Sequence, residues 1–341
     1  LYVDGNAGGQ TILRFQRQDG YTLLPGQQIL AVTGGTLADL SKTYVEVDTL
    51  GTGLTLNGGT IDLLLGSSNS AAGILRVGTA TNGAILNIDA GSTVKTGRLF
   101  LGEASGVAGN VNQTGGAVTV SDHLRIAHWG NNVSTYNLSG GTLTLTNTNP
   151  GAAPAGGGEQ SGGVYVGVDG VGILNQSGGV LTTPWIVLDN RVSTTVNGTV
   201  SQYNLTGGTL NLTQQFGLRS NNAATGVMTW SGATIRNAAA AGTSVQLDAP
   251  ITVTGTGAIL DTQDAGRGFT FRQNVLGGGT ITTQGGGVLT ATTTTTQNLD
   301  VVLAGTSGLD KFGAGTLTLG RASTYSGPTN VAAGVLNLTG S

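Results

Sequence analysis

The strongest constraint on the fold is a short phrase that recurs along the chain at a nearly constant spacing. It reads VNQTGG at residues 111–116 and YNLSGG at residues 136–141, so Asn112 and Asn137 are 25 residues apart. Related phrases occupy residues 86–91, 174–179 and 203–208. Self-similarity at this period is typical of a solenoid, in which each repeat forms one coil.

Each period also contains short stretches in which apolar residues stand two apart. The clearest are LRVG at 75–78, LFLG at 99–102, LRIA at 124–127 and VYVG at 164–167. This alternation indicates β-strands, and no helical stripe competes with it. Equivalent residues recur in the same chain direction, so stacked coils pair in parallel. The sequence therefore predicts an all-β parallel β-helix (β-solenoid) of roughly 11–13 coils, with about 25 residues per coil.

Composition supports this fold and excludes several functions. The chain has 61 Gly in 341 residues and 9% charged residues, yet 38% of its residues are hydrophobic, enough for a long thin core. A net charge of -3 argues against nucleic acid, which requires a basic face. There are no cysteines, hence no disulfides and no thiolate metal sites, which is compatible with export. No apolar run is long enough to span a membrane.

We treat the chain as one continuous solenoid, residues 1–341, with three parts. Residues 1–73 form irregular N-terminal coils, residues 74–235 carry the regular 25-residue repeats, and the pattern changes over residues 236–341. Spacing between glycine pairs widens to 38 residues from Gly141 to Gly179. This predicts a loop insertion at residues 146–162, which contain Pro150 and Pro154 and cost the coil beneath little. Smaller insertions are expected at 66–73 and 191–199.

The last part of the chain carries a resemblance to a known family. Residues 311–338 read KFGAGTLTLGRASTYSGPTNVAAGVLNL, which closely resembles the autotransporter-associated β-strand repeat, a passenger-associated repeat. Ser323 stands where that family usually has Asn, and Pro328 where it often has Gly or Thr; both fit a turn. The resemblance implies a right-handed parallel β-helix in the passenger region of a bacterial surface protein. Residues 236–341 are accordingly interpreted as autotransporter-type repeat coils.

Candidate catalytic and metal-binding residues are few. A β-helix enzyme needs two or three carboxylates on one face of successive coils. The acidic residues stand singly, and the nearest pair is Asp261 with Asp264. The two histidines, His123 and His128, have no acid at a matched repeat position. The sequence predicts no catalytic residues, no metal site and no cofactor.

Asparagine recurs at one position of the repeat phrase, and two interpretations compete for it. Several of these residues lie in Asn-x-Ser/Thr sequons, which permit glycosylation. Alternatively, amides at one coil position bond to one another along the axis, which would satisfy corner amides otherwise buried without partners. We favour such a structural ladder, formed by Asn87, Asn112, Asn137, Asn175 and Asn204.

A second axial row is predicted on the outside of the coils. The middle residues of the strands ending at 78, 102, 127 and 167 point away from the core, and they are Arg76, Phe100, Arg125 and Tyr165. Stacked at the ~4.8 Å spacing of neighbouring strands, these side chains would form a platform for glycans or a partner protein. Ordinary solvated strand positions are the alternative explanation.

These observations predict a non-enzymatic extracellular or cell-surface structural protein, adhesin-like or scaffold- and filament-forming. The alternative is a polysaccharide-binding or polysaccharide-cleaving β-helix protein. The expected localisation is the bacterial cell surface, associated with the outer membrane. Neither end of the sequence resembles a cap, so we expect end-to-end self-association or continuation in a longer chain, with glycans or surface proteins as further partners.

Overall fold

The computed structural model of the protein describes residues 2–6, 10–15, 21–30, 43–49, 53–64, 73–147, 162–190, 200–222 and 225–340. Within these residues every regular element is a β-strand. The predicted insertion loops fall largely outside the described residues, and so do both terminal residues.

Nine strands precede residue 90. They are β1 (Tyr2–Asn6), β2 (Gln10–Phe15), β3 (Tyr21–Leu23), β4 (Gln28–Leu30), β5 (Thr43–Val47), β6 (Leu54–Leu56), β7 (Thr60–Asp62), β8 (Ile74–Val77) and β9 (Ala84–Ile88). The central strands are β10 (Thr93–Leu101), β11 (Gly109–Gln113), β12 (Ala117–Ile126), β13 (Val133–Leu138), β14 (Thr142–Leu145), β15 (Gly163–Val166), β16 (Val171–Thr183), β17 (Ile186–Leu188), β18 (Ser201–Leu212), β19 (Leu218–Ser220), β20 (Gly226–Trp230) and β21 (Thr234–Asn237).

Thirteen further strands complete the chain. They are β22 (Ser244–Asp248), β23 (Ile251–Val253), β24 (Ala258–Asp261), β25 (Gly268–Phe271), β26 (Val275–Leu276), β27 (Thr280–Gln284), β28 (Val288–Thr292), β29 (Thr296–Leu299), β30 (Val302–Gly305), β31 (Gly308–Phe312), β32 (Thr316–Leu319), β33 (Thr329–Val331) and β34 (Val335–Leu338).

The strands stack into three parallel sheets that run the length of the molecule. The first sheet contains β2, β5, β8, β10, β12, β15, β17, β19, β22, β25, β28, β31 and β33. The second contains β3, β6, β9, β11, β13, β16, β18, β20, β23, β26, β29, β32 and β34. The third contains β4, β7, β10, β12, β14, β16, β18, β21, β24, β27 and β30. This arrangement is a parallel β-helix, as the sequence predicted, with thirteen coils in the described residues.

Four long strands turn a corner of the helix and serve two sheets. In β10, Val94 pairs in the third sheet and Leu99 in the first, with a register shift between Thr96 and Arg98. β12 does the same, and β16 and β18 join the second sheet to the third. At the amino-terminal end, β1 pairs antiparallel with β2 and departs from the parallel pattern.

The coil length changes along the molecule. Leu99 and Leu124 are register partners in the first sheet, which gives the expected 25-residue coil. Near the carboxy-terminal end the partners are Phe269, Leu289 and Leu309, which are only 20 residues apart. The 25-residue period therefore describes the central coils, and the final coils are shorter.

The core is a continuous apolar column inside the three sheets. Alternate residues of each strand point inward and are buried, as in β9, where Ala84, Leu86 and Ile88 have no exposed surface. Leu, Val and Ile side chains fill most of this column, and Trp230 and Phe269 also lie in it. A second cluster, Tyr165, Val168, Trp185 and Val187, is buried apart from the main column.

Candidate functional site

The five asparagines of the repeat phrase lie in one axial row on the second sheet. Each side-chain Nδ2 donates to Oδ1 of the asparagine one coil earlier, at 2.9 Å (Asn112 to Asn87), 2.9 Å (Asn137 to Asn112), 2.8 Å (Asn175 to Asn137) and 2.9 Å (Asn204 to Asn175). The row begins at Thr55, whose Oγ1 accepts from Asn87 at 3.2 Å. These side chains are half-buried and stand in mid-strand, whereas the sequence placed them at a buried corner.

Beside this row, a second polar motif points into the core, and the sequence analysis missed it. Gln113 and Gln176 are fully buried, and each accepts a hydrogen bond from a tyrosine one coil later: Tyr136 Oη donates to Gln113 Oε1 at 2.7 Å, and Tyr203 Oη to Gln176 Oε1 at 2.6 Å. Burial raises the pKa of both tyrosines. The signal lay in the alternation of NQ phrases with YN phrases in successive central coils.

The two consecutive glycines that follow these motifs have different structural roles, as Gly140 and Gly141 show. A Cβ on Gly140 would lie 2.2 Å from the carbonyl oxygen of Thr114, so this position allows close approach of two coils. Gly141 has φ +74°, a left-handed conformation that favours glycine. Together they form the tight turn between the second and third sheets.

The predicted outer row lies in register on the first sheet but is not an open platform. Arg76 pairs with Phe100, Phe100 with Arg125, and Arg125 with Tyr165. Phe100 is 5% exposed, Arg125 7% and Tyr165 1%. Only Arg76 keeps appreciable exposure, 22% of its side chain. The prediction of an exposed glycan or partner platform is therefore wrong for Phe100, Arg125 and Tyr165, because these side chains pack into a cluster outside the sheet.

Phe100 is the centre of that cluster. The rings of His123 and His128 lie 5.5 and 4.7 Å from its ring, and the guanidinium of Arg125 lies 5.1 Å from its centroid. Arg125 Nη1 is 2.6 Å from His128 Nε2, and His128 Nδ1 is 2.5 Å from Glu103 Oε2. Since Arg125 has only donors, Nε2 accepts and Nδ1–H donates to the carboxylate. The two histidines thus support the packing of an aromatic ring.

Asp122 anchors the cluster from the side. Its carboxylate accepts from Arg98 Nε at 2.8 Å and lies 3.2 Å from His123 Nδ1. Burial alone would raise the pKa of Asp122, but its close contact with His123 and its hydrogen bond with Arg98 outweigh burial and lower that pKa to about 2. Burial lowers the pKa of His123, so its ring is neutral at neutral pH.

Acidic and basic side chains along the molecule form ion pairs between neighbouring coils. The pairs are Arg76–Glu46 at 3.3 Å, Lys95–Asp62 at 3.2 Å, Arg98–Asp122 at 2.8 Å, Arg236–Asp261 at 2.8 Å and Arg321–Asp300 at 2.7 Å. Unlike charges one coil apart favour the native register over a slipped one. These charges therefore hold coils together and do not converge on one point.

Asp261 and Asp264, the nearest acidic pair in the sequence, are each bonded to an arginine. Asp261 accepts from Arg236 Nε and from the backbone N–H of Gln263. Burial raises its pKa, but these bonds outweigh burial and lower it, which keeps Asp261 a carboxylate. Asp264 is bonded to Arg267 in the same turn. Each carboxylate is held by its own arginine, and this is not the arrangement of an acid–base pair.

The carboxy-terminal coils contain a different polar feature, a lysine inside the core. Lys311 has no exposed surface and occupies the inward position that Ala291 holds one coil earlier. Its Nζ donates to the carbonyl oxygens of Phe312 at 2.8 Å, Gly313 at 2.7 Å and Ala333 at 3.1 Å. An ammonium has three donors, and all three are used. Lys311 thereby ties one corner to the coil that follows.

The described residues contain neither a metal cluster nor a membrane-crossing helix. No group of three or more histidine, aspartate or glutamate side chains there is placed to hold a metal ion. Within the same residues there is also no helix that could cross a membrane.

Comparison with known proteins gives one match. Residues 309–338 match the family model described as the passenger-associated-transport-repeat. No curated protein and no solved structure matches the chain. The matched segment begins at β31, includes Lys311 with its three carbonyl partners, and ends with β34. The chain is therefore a parallel β-helix that carries, at residues 309–338, a repeat of autotransporter passenger proteins.

Proposed function

We propose that this chain is a non-enzymatic structural part of a bacterial surface protein, adhesin-like or scaffold-forming. The observation that carries the proposal is that the polar side chains form their bonds between neighbouring coils. The amide ladder, the Tyr–Gln bonds, the Lys311 corner and the ion pairs all join one coil to the next. Such a molecule is built to be a long, stiff rod, since each coil contacts only its neighbours.

The proposed localisation is extracellular, on the bacterial cell surface and associated with the outer membrane. The passenger-type repeat at residues 309–338 supports it. The lack of cysteine is compatible with export, because such a chain folds without disulfide formation on either side of a membrane.

The alternative is a protein that binds or cleaves polysaccharide on the outside of the helix. Cleavage is the less favoured form, because Asp122 and Asp261 are bonded to Arg98 and Arg236 and have lowered pKa values. A general acid requires the opposite, a carboxyl group whose pKa is raised toward the working pH.

For partners, we propose end-to-end association with a further coil, from a longer chain or from a second copy. The coils already pair through parallel strands in one fixed register, and another coil would use the same backbone groups. Sedimentation at increasing protein concentration tests this proposal. We expect the weight-average mass to rise with concentration, and a constant monomer mass would contradict it.

Two measurements test the structural role. Thirteen coils at ~4.8 Å each make a rod about 60 Å long, which solution scattering would report as an elongated particle; a compact sphere would contradict it. Incubation with a panel of polysaccharides should produce no new reducing ends. If reducing ends did appear, and if Asp261→Asn abolished them, the chain would be an enzyme.

A further inference from the structure

The row of outward-pointing residues on the first sheet continues beyond the buried cluster. Two of its later members, Arg219 and Asp248, are partly exposed. Tyr165 pairs with Val187, Val187 with Arg219, and Arg219 with Asp248. Arg272 follows Asp248 one coil later, with Nη1 3.9 Å from Asp248 Oδ2. The row therefore changes from a packed cluster to an alternation of positive and negative groups.

At this place the surface has a cavity of about 110 Å³, lined by Phe216, Leu218, Arg219, Gln246, Asp248 and Arg272. Phe216 stands in the turn before β19 and is 40% exposed, so part of its ring faces solvent at the cavity wall. Leu218 is buried and provides an apolar floor. The ring of Phe216 thus lies beside polar side chains in the cavity wall. Such a wall is suited to a ligand that has an apolar face and hydroxyl groups.

Arg272 and Asp248, two charged residues of the cavity, do not form a hydrogen bond with each other. Arg272 Nη1 donates to Gln246 Oε1 at 3.2 Å, while Asp248 Oδ1 accepts from Gln273 Nε2 at 3.1 Å. At 3.9 Å the Arg272–Asp248 contact is too long for a hydrogen bond. A guanidinium has five donors, and the side chain of Arg272 is 44% exposed. It retains donors for a carboxylate, which arginine binds in a two-pronged geometry.

We propose that this cavity binds one sugar unit of an acidic glycan, a uronate. Phe216 stacks on the apolar face of the ring, Arg272 binds the carboxylate, and Gln246 and Asp248 accept from hydroxyl groups. Arg272 can bind a carboxylate through two parallel hydrogen bonds, which favours an acidic sugar over a neutral one. The cavity is far smaller than the ~300–1,000 Å³ of drug-sized pockets, so it fits a single unit of a longer chain. This inference rests on the proposed role as an exposed surface protein.

The test is titration of the whole chain with a galacturonate tetramer and with the neutral galactose tetramer, followed by calorimetry or NMR. We expect saturable binding of the acidic tetramer and at least about tenfold weaker binding of the neutral one. Arg272→Gln should weaken acidic binding about ten- to a hundredfold, because it removes charge-assisted hydrogen bonds. Phe216→Leu, which keeps most of the volume but removes the ring face, should also weaken it.

Matched controls lie on the same molecule. Phe312 is also 40% exposed, and the Arg236 side chain is 40% exposed, but neither lines the cavity. Phe312→Leu and Arg236→Gln should bind the acidic tetramer as the original chain does. The proposal is overturned by no saturable binding at millimolar concentration, by equal binding of the two tetramers, or by equal losses in the controls. Reducing ends measured in the same samples separate the two proposals, since cleavage would contradict the non-enzymatic role and leave the binding site standing.

Discussion

The central coils and the carboxy-terminal coils turn the corner from the first sheet to the second in different ways. Between β10 and β11 the link is residues 102–108, whereas between β28 and β29 it is residues 293–295. This corner accounts for most of the difference between a 25-residue and a 20-residue coil. The wide corner places Glu103 beside Arg76 and His128 of neighbouring coils, outside the sheets. The tight corner after β31 encloses the ammonium of Lys311, inside the core.

The two kinds of corner provide partners for their backbone carbonyls in different ways. A coil corner exposes backbone carbonyls and needs partners that reach the next coil. A wide corner has room for side chains to form bonds along the outside, and it accepts insertions. A tight corner has less room, and after β31 one long cationic side chain from within satisfies three carbonyls at once. We therefore expect the stability of a wide corner to tolerate single substitutions. The stability of the tight corner after β31 should depend on single residues.

The largest expected effect is at the tight corner. Lys311→Met removes the charged donor from the carbonyl oxygens of Phe312, Gly313 and Ala333, and we expect a loss of about 2–5 kcal/mol in the free energy of unfolding of the last coils. Hydrogen exchange of residues 308–338 would measure the local loss. Lys95→Met is the control, since Lys95 is 48% exposed and pairs with Asp62 on the surface; it should cost under about 1 kcal/mol. Equal effects of the two variants would remove the distinction between the corners.

In the central coils the largest effect should come from the buried tyrosines. Tyr136→Phe removes the donor to Gln113 Oε1 and leaves that oxygen buried, so we expect a loss of about 1–3 kcal/mol in chemical denaturation. The double variant Gln113→Leu with Tyr136→Phe should be less destabilised than the sum of the single variants, because neither the Tyr136 hydroxyl nor Gln113 Oε1 is then left without its partner. The bonds from Gln113 Nε2 to the carbonyls of Gly115 and Thr142 are lost in both Gln113 variants, so they cancel in this comparison. Strict additivity would show that the bond contributes nothing.

Substitutions in the amide ladder should cost less stability, and the cost should scale with the number of ladder bonds that each one removes. Asn137→Ala removes two ladder bonds, to Asn112 and from Asn175, whereas Asn204→Ala removes one. At about 1 kcal/mol or less per half-buried bond, the first should cost about twice as much as the second in thermal unfolding. If Asn204→Ala cost as much as Asn137→Ala, the asparagines would act separately and not as a ladder.

The smallest expected effect is on pH dependence, and in the central coils it should come from Asp122 and His123, which are adjacent in β12. Burial lowers the pKa of His123 below its ordinary 6.5, so the unfolded chain takes up the proton first and stability falls as pH drops below about 6.5. The lowered pKa of Asp122 adds a further loss as pH falls from about 4 to about 2. His123→Gln should flatten the first part of the profile, measured by denaturation from pH 7.5 to 5. An unchanged slope would contradict a role for His123.

The outer row shows what sequence reasoning can and cannot do at a site. Alternation placed Arg76, Phe100, Arg125 and Tyr165 in one register, and the structure has them so. The burial of Phe100, Arg125 and Tyr165 was not predictable from that pattern. It depends on His123, His128 and Trp185, which approach the row from other positions of the coil. The cavity near Phe216 was missed for the same reason, since no repeat phrase marks it.

By itself, the sequence determined the parallel β-helix, its central period and the axial alignment of repeated residues. It could do so because a repeat stacked on itself brings equal positions together whatever the details of the corners. Only the tertiary structure decided the shorter terminal coil, the interior place of Lys311 and which outward side chains are covered. Those features depend on corner geometry and on contacts between non-equivalent positions of neighbouring coils, and a periodic pattern carries no information about either.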